Sequence, residues 1–359
     1  MKKLFALLLA GLMLVGCSSN TTTTTPTETT EPEATEETTT TEETTGSLKL
    51  GVGSVTSISS ADATEDKDGK VQFNTTYASV VLDGDVVVAA YFDVAQNTGN
   101  FGTDGTVTTL PETTPTKKEK GTDYGMKSVS DLGLEVDEQM NNLAAYMVGN
   151  TVEEVLATPT EKRDDAHPAV PAGEDLKTTV SINIADYLAA FEVAAKNAVE
   201  VEGVASVGTA SVTSLSGSDA TEDKDGQVQA NTTYALVGLT EDGTIAYVYW
   251  DVAQNAGKFG TDGAVTAAEA APTKKEKGDD YGMRSSSEIG KELFEQVEAL
   301  EEYSIGKTVA DVLATPTEKK DDHHTAVPTD EDLKTSVTIS IGDYLAALEK
   351  AAANATPIE

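Results

Sequence analysis

Each half of this sequence carries a histidine in the same local setting. His167 lies in Asp-Asp-Ala-His-Pro-Ala-Val-Pro, and His324 lies in Asp-Asp-His-His-Thr-Ala-Val-Pro. An imidazole beside carboxylates could ligate a metal ion or act as a general base. One matching histidine per half is few for a metal centre. The favoured interpretation is therefore a loop in which the histidine hydrogen-bonds a neighbouring aspartate or a backbone carbonyl.

Two carboxylates also precede a glycine in each half, in Asp66-Lys67-Asp68-Gly69 and in Asp223-Lys224-Asp225-Gly226. This order resembles a calcium-binding loop. Counted from Thr64, however, the twelfth position of the loop is Thr75, whereas an EF-hand places a bidentate glutamate there. The segments are interpreted as solvated turns before a strand, and no metal site is predicted. Hydrolase motifs such as a Ser/His/Asp elbow do not stand out either, so no catalytic residue is predicted.

These paired motifs arise from a duplication. Asn-Thr-Thr-Tyr at 74–77 returns at 231–234, and Pro-Thr-Lys-Lys-Glu-Lys-Gly at 115–121 returns at 272–278. A period of 157 residues is far longer than the unit of a solenoid, which spans about 20–50 residues. The sequence predicts two tandem homologous domains, residues 47–200 and 201–359, each long enough to hold its own core.

Within a domain, the first half is typical of strands and the second half of helices. Val71–Leu82 and Val86–Val94 flank an Asp-Gly turn and predict an antiparallel hairpin, with its counterpart at Val228–Leu239 and Ile245–Val252. An apolar stripe around Leu143 and Met147, an N-cap at Thr151 and the Ala/Leu-rich segment Asp186–Ala198 predict helices. Alternation at Val180, Ile182 and Ile184 predicts one more strand. The expected fold class is α+β, an antiparallel sheet with packed helices in each domain.

The N-terminal residues indicate export. Lys2-Lys3 precede an apolar run from Leu4 to Val15, and about 12 apolar residues rise only about 18 Å as a helix, too little to cross a bilayer. The run is therefore interpreted as a signal peptide over residues 1–16. Leu14-Val15-Gly16-Cys17 resembles a lipobox, which implies lipid attachment at Cys17 and a mature protein anchored to the extracellular face of the cell membrane. Cys17 is the only cysteine, so disulfides are excluded.

Residues 17–46 combine the lipidated cysteine with a segment rich in Thr and Glu, for which we expect a disordered tether spanning about 30 Å as a flexible coil. The whole chain carries a formal net charge of −36. Such a charge repels nucleic acid phosphates and anionic headgroups, so no nucleic acid partner is expected, and the membrane is contacted through the lipid anchor.

The most specific matched feature is Asp62-Ala63-Thr64, which returns as Asp219-Ala220-Thr221. With Lys-Lys-Glu-Lys-Gly, Tyr-Gly-Met and Asp-Tyr-Leu-Ala-Ala, it makes both repeats resemble the flavin-carrying domains of Gram-positive extracellular electron transfer lipoproteins. In that family a flavin transferase takes FAD, with magnesium, and joins the FMN phosphate to a threonine hydroxyl. The resemblance implies covalent FMN on Thr64 and on Thr221, two per chain, with Asp62 and Asp219 beside them.

The motif departs from the better-known flavinylation sequence, Asp-x-x-Ser/Thr-Gly-Ala-Thr, because Asp62 and Asp219 replace the glycine. Nearby threonines therefore remain alternative acceptors: Thr75, Thr76, Thr232 and Thr233. Aromatic residues of the hairpins could stack on the isoalloxazine ring, although such residues more often belong to a core; they are Tyr77, Tyr91, Phe92, Tyr234, Tyr249 and Trp250.

The expected function is that of an electron carrier rather than a turnover enzyme, passing electrons from a membrane donor to extracellular acceptors. An ester-linked flavin suits this setting, because a dissociable cofactor would be lost to the large external volume. Two other functions stay open: a surface module that binds calcium or a cell-wall component without catalysis, and the substrate-binding lipoprotein of a transporter. The absence of an evident cleft-forming hinge speaks against the transporter role.

Overall fold

The computed structural model describes residues 47–112 and 114–358. The predicted signal peptide, the lipid attachment at Cys17 and the tether over residues 17–46 lie outside these described residues. Within them, no helix is both long and apolar enough to cross a membrane. Residues 46–359 group into one compact unit that includes both repeats.

The first repeat forms a five-stranded antiparallel sheet with the strand order β4-β3-β2-β1-β7. Its elements in chain order are β1 (Leu48–Ala61), β2 (Gly69–Asp83), β3 (Val86–Phe101), β4 (Val107–Thr109), α1 (Lys117–Lys120), α2 (Val136–Met147), α3 (Val152–Leu156), β5 (Thr160–Glu161), β6 (Val170–Pro171), α4 (Glu174–Lys177), α5 (Ala185–Lys196) and β7 (Val199–Val201). The proposed boundary after residue 200 thus falls inside β7, which closes one edge of this sheet.

The second repeat forms the same sheet, with the strand order β11-β10-β9-β8-β14. Its elements are β8 (Ser206–Ser218), β9 (Gly226–Leu239), β10 (Ile245–Phe259), β11 (Val265–Ala267), α6 (Lys274–Lys277), α7 (Leu293–Ser304), α8 (Val309–Leu313), β12 (Thr317–Glu318), β13 (Val327–Pro328), α9 (Gly342–Ala353) and β14 (Thr356–Pro357). Short 3-10 helices follow α1 and α6, at Gly121–Tyr124 and Gly278–Tyr281. The predicted α+β class and the predicted hairpins are confirmed.

Helix starts follow the local sequence. Thr151 caps α3 by accepting a hydrogen bond from the N–H of Glu154 at 3.2 Å, while the Glu154 carboxylate accepts the N–H of Thr151 at 2.9 Å. This reciprocal capping box satisfies two N–H groups that have no partner inside the helix. The N-cap predicted at Thr151 is therefore confirmed.

The strand predicted at residues 180–184 is wrong. The N–H of Ser181 donates to Oε1 of Gln139 at 2.8 Å, and the N–H of Ile184 donates to the carbonyl of Ala169 at 2.9 Å. Because these groups are satisfied by a helix side chain and a loop, the segment has no strand partner. Its alternating apolar residues pack into the core beneath the helices without joining a sheet.

Two apolar layers flank each sheet. On the outer face of the first sheet, Ala78, Val80 and Leu82 pack against α2 and α5, and the second repeat has an equivalent cluster of its own. On the inner faces the two sheets pack directly on each other. Val71 and Phe73 contact Val228 and Ala230 in one shared cluster, and a second shared cluster joins Leu50, Val52, Val81, Tyr234 and Leu236. The fold is a stack of helices, sheet, sheet and helices, so each repeat completes the core of the other.

The helices cover only part of each outer sheet face. In β2, every residue from Thr75 to Leu82 is buried, whereas Gly69–Asn74 alternates between buried and partly exposed positions. β9 shows the same pattern. The uncovered part carries polar side chains such as Gln72 and Asn74, and it leads to the turn between β1 and β2. The Asp-Ala-Thr motif lies in that turn.

Candidate functional site: two threonine turns and two matched cavities

Thr64 and Thr221 occupy equivalent tight turns. The N–H of Thr64 donates to the carbonyl of Lys67 at 2.8 Å, and the N–H of Lys67 donates back to the carbonyl of Thr64 at 3.2 Å. Thr221 and Lys224 repeat this pair at 2.8 and 3.3 Å. Both threonines are exposed, and their hydroxyls make only long hydrogen bonds to the same lysine carbonyls, at 3.4 and 3.5 Å. The two hydroxyls are thus presented to solvent on a defined backbone.

The alternative acceptor threonines lie inside the fold. Thr75, Thr76, Thr232 and Thr233 are each no more than 2% exposed. Thr75 and Thr232 also share their hydroxyls with Thr56 and Thr213 at 3.0 and 2.9 Å. A modifying enzyme could not reach these hydroxyls without unfolding the sheets, so the geometry favours Thr64 and Thr221 among the threonines of the motif region.

Asp62 and Asp219 tie each turn to the opposite repeat. Oδ1 of Asp62 accepts the N–H of Val265 at 2.8 Å, and Oδ1 of Asp219 accepts the N–H of Val107 at 2.8 Å. Backbone bonds run beside them, from Ala63 to the carbonyl of Gly263 at 2.9 Å and from Ala220 to that of Gly105 at 2.8 Å. The residue that replaces the glycine of the better-known motif therefore has a structural role: each acceptor turn is held by the other copy.

Close packing beneath the turns explains their shared location. Gly105 and Gly263 adopt φ values of +74° and +72°, and a Cβ on either would lie 2.7 Å from the Cβ of Ala220 or Ala63. The rings of Phe101 and Phe259 stack across the two sheets with their centroids 4.0 Å apart and their planes 1° apart. Both threonine turns consequently lie at the same end of the two-sheet stack.

The histidine loops follow the predicted hydrogen-bonded interpretation. Nδ1 of His167 lies 2.7 Å from Oδ1 of Asp164, and Nδ1 of His324 lies 2.8 Å from Oδ2 of Asp321. These contacts lower the pKa of Asp164 and lower that of Asp321 to about 2. Among residues 47–112 and 114–358, no group of three or more His, Cys, Asp or Glu side chains is placed to hold a metal ion.

Most of the hairpin aromatics belong to the core. Tyr77, Phe92, Tyr234 and Trp250 are at most 2% exposed. The hydroxyl of Tyr77 donates to the buried Asp93 at 3.1 Å, and Tyr234 donates to Asp251 at 3.2 Å. Burial raises the pKa of both carboxyls, opposed by hydrogen bonds from threonine hydroxyls and backbone N–H groups. These four rings therefore expose almost no surface to solvent.

Each repeat instead contains a cavity between its outer sheet face and the loops that precede its last long helix. The cavity of the first repeat measures about 330 Å³ and that of the second about 770 Å³, within the range typical of small-molecule sites. Equivalent side chains line both cavities; those of the first repeat include Asn74, Lys117, Tyr124, Met126, His167 and Asp186. Their counterparts are Asn231, Lys274, Tyr281, Met283, His324 and Asp343.

The sequence shows these motifs as matched between the repeats but does not predict that they surround one cavity. Their segments extend over most of each repeat, from Asn74 to Asp186 in the first, so only tertiary packing brings them together. Burial raises the pKa of Asp343, while the nearby Lys274 lowers it. A signal that could have located the cavity was present, because several stretches shared by the two repeats supply its walls, among them Pro-Thr-Lys-Lys-Glu-Lys-Gly.

Comparison with known proteins gives little further information. No protein-family model matches the chain, and no solved structure matches it at a significant level. A segment of 40 residues is 60% identical to a chlorophenol reductase of Desulfitobacterium hafniense, covering 11% of this chain and 12% of the reductase. The match spans a small fraction of either protein and assigns no activity to this chain.

Proposed function

We propose that this protein is a surface-anchored electron carrier with FMN joined covalently to Thr64 and Thr221. The main support is that both repeats present the same threonine hydroxyl at one end of the fold, where it is exposed and weakly hydrogen-bonded. The neighbouring threonines are buried. Two copies of one solvent-facing acceptor geometry fit modification by a second enzyme. This supports the function implied by the resemblance to flavin-carrying lipoproteins.

The attachment requires little of this chain beyond a presented hydroxyl. In the proposed reaction, Oγ1 of threonine forms a bond to the FMN phosphorus of FAD, the bond from that phosphorus to the AMP oxygen breaks, and the hydroxyl proton leaves to a base of the transferase. Asp62 and Asp219 act as positioning residues, because their carboxylates accept backbone N–H groups and keep each turn in place. When bound, the flavin supplies the redox chemistry.

The remaining parts of the proposal concern location and partners. Lipid attachment at Cys17 would hold the protein at the extracellular face of the cell membrane, and residues 17–46 would give the folded unit its reach. A membrane donor would supply electrons, and acceptors outside the cell would receive them. The net charge of −36 suits a small or cationic acceptor better than a nucleic acid or an anionic surface.

The test is intact mass after co-expression with a flavin transferase and FAD supply. The wild-type chain is expected to gain two FMN increments, Thr64→Ala and Thr221→Ala one each, and the double variant none. Thr122→Ala is the matched control, since Thr122 is also exposed but lies outside the motif. A wild-type chain that gains no increment beside a transferase active on another substrate overturns the proposal. Increments retained by the double variant would overturn the acceptor assignment.

A further inference from the structure

The attachment reaction assigns no role to the two matched cavities, yet segments shared by both repeats line each of them. Lys-Lys-Glu-Lys-Gly, Tyr-Gly-Met, the histidine loop and Asp-Tyr-Leu each contribute a wall in both copies. A fold that needed only an exposed threonine would not require these segments to converge. Their convergence indicates a ligand, and the lining indicates its class.

The walls combine flat apolar surfaces with a hydrogen-bonding edge. In the first repeat, Tyr124, Met126 and Ile182 supply the apolar part, and Asn74 and Gln96 supply side-chain amides. Oδ1 of Asn74 accepts Nε2 of Gln96 at 2.9 Å and Nε2 of Gln72 at 3.2 Å, which leaves the NH2 group of Asn74 as a donor and the carbonyl oxygen of Gln96 as an acceptor for a ligand. Aromatic and thioether faces beside fixed amides suit a planar heteroaromatic ring with a polar edge.

A lysine side chain also lines each cavity. Nζ of Lys117 lies 5.3 Å from the ring centroid of Tyr124, and Nζ of Lys274 lies 5.4 Å from that of Tyr281. A positive charge beside the aromatic wall in both repeats favours a ligand that carries or gains negative charge. A ring that accepts electrons has this property.

The position of each cavity along its sheet connects the cavity with the threonine of the same repeat. Ser57 lines the first cavity and lies four residues before the end of β1 at Ala61, which is about 13 Å along an extended strand. Ser216 lines the second cavity, only two residues before the end of β8 at Ser218. Between cavity and turn, the outer sheet face is polar and free of covering helix in both repeats. The ribityl phosphate and the ring that it carries would extend from the threonine along this face toward the cavity.

We propose that each cavity seats the isoalloxazine ring of the flavin attached to the threonine of the same repeat. The proposal rests on the proposed function, and it assigns a ring-binding role to Tyr124 with Met126, and to Tyr281 with Met283. The tether raises the effective concentration of the ring at the cavity, so shallow walls suffice for a high occupancy. The flavin is then held against the protein instead of moving freely in solvent.

The experiment uses flavin fluorescence of the loaded full chain. Thr221→Ala leaves one flavin, on Thr64, whose emission is expected to be quenched by the tyrosine wall and strongly polarised. Adding Tyr124→Ala is expected to raise the emission several-fold and lower the anisotropy, with the FMN mass increment unchanged. Adding Tyr281→Ala instead is expected to change neither quantity, because it alters the other cavity.

Controls separate binding from folding. Tyr146→Ala and Tyr303→Ala remove equivalent half-buried tyrosines that line neither cavity, and they are expected to leave the emission unchanged. Tyr124→Phe keeps a flat wall and is expected to keep the high anisotropy. Emission and anisotropy equal to those of a short flavinylated peptide would overturn the seating of the ring, as would an effect of Tyr281→Ala on the flavin at Thr64. Absence of flavin by mass would instead overturn the proposed function.

A second readout needs no covalent flavin. Unloaded wild-type chain is titrated into riboflavin, which has the ring but no phosphate to be transferred. Saturable quenching of the riboflavin fluorescence is expected. The quenching should weaken at least several-fold in the combined Tyr124→Ala and Tyr281→Ala variant. It should remain in the combined Thr64→Ala and Thr221→Ala variant. Quenching that is equal in all three proteins would contradict a specific seat.

Discussion

At the scale of single residues, Glu301 marks the clearest electrostatic difference between the repeats. Its carboxylate accepts Nζ of Lys275 at 2.7 Å and the N–H of Trp250 at 2.7 Å. The first repeat has Ala144 at this position, and there Nζ of Lys118 donates to Asn141 at 2.7 Å. Burial raises the pKa of Glu301 to about 7, because the loss of hydration outweighs the attraction of the lysine.

This shift predicts a pH dependence. The pKa of Glu301 in the folded state lies above the ordinary value of 4.5, so its stabilising contribution is present below about pH 4.5 and is lost as the pH rises through about 7. We expect the melting temperature of Glu301→Gln, relative to wild type, to increase between pH 4.5 and pH 8. Glu302→Gln, on an exposed position of the same helix, should show a constant difference. A constant difference for Glu301→Gln as well would contradict the assignment.

At the scale of elements, the contact of α5 with β1 depends on a glycine. A Cβ at Gly51 would lie 2.0 Å from the carbonyl oxygen of Ala194, and Gly208 stands in the same relation to Ala351 at 1.9 Å. Backbone cannot yield as a flexible side chain can, so any larger residue must push the helix off the sheet. The same glycines lower the strand propensity of β1 and β8, which is one reason why the sequence did not predict these strands.

Gly51→Ala is therefore expected to destabilise the protein by about 2–3 kcal/mol through overpacking. Gly342→Ala is the matched control, because a Cβ added there would make only an ordinary contact of 3.5 Å with the Cβ of Ala326, and the first repeat has Ala185 at the same position; its effect should stay within about 0.5 kcal/mol. Denaturant unfolding measures both. Equal stabilities of the two variants would show that α5 can shift away from β1 without loss of stability.

At the scale of the whole molecule, the repeats are bound together by their cores and by their acceptor turns. Two apolar clusters contain residues of both sheets, and the hydroxyl of Thr209 donates to Oγ of Ser79 at 2.6 Å across the interface. A repeat expressed alone would expose the inner face of its sheet, including Val71, Phe73 and Leu50. Exposed apolar surfaces of this kind promote association.

We expect residues 47–204 alone, which keep β7 whole, to self-associate and to melt below the intact chain, as measured by sedimentation and circular dichroism. The separated repeat should also accept flavin more slowly than the intact chain, because Asp62 loses its partner at Val265. Asp66→Ala in the intact chain is the control, since Asp66 lies in the same exposed turn. A monomeric repeat with the melting temperature of the whole chain would show that the shared clusters contribute little.

The sequence by itself determined the duplication, the α+β class, the central hairpins and the helix starts, because these follow from local patterns: β-branched runs, Asp-Gly turns and capping residues. It also singled out Thr64 and Thr221. Only the tertiary structure decided which threonines are exposed and that each turn is held by the opposite repeat. It also decided that four distant motifs line one cavity in each repeat. The strand predicted at residues 180–184 was wrong for the same reason: hydrogen-bond partners and burial depend on elements far away in the chain, which local patterns do not record.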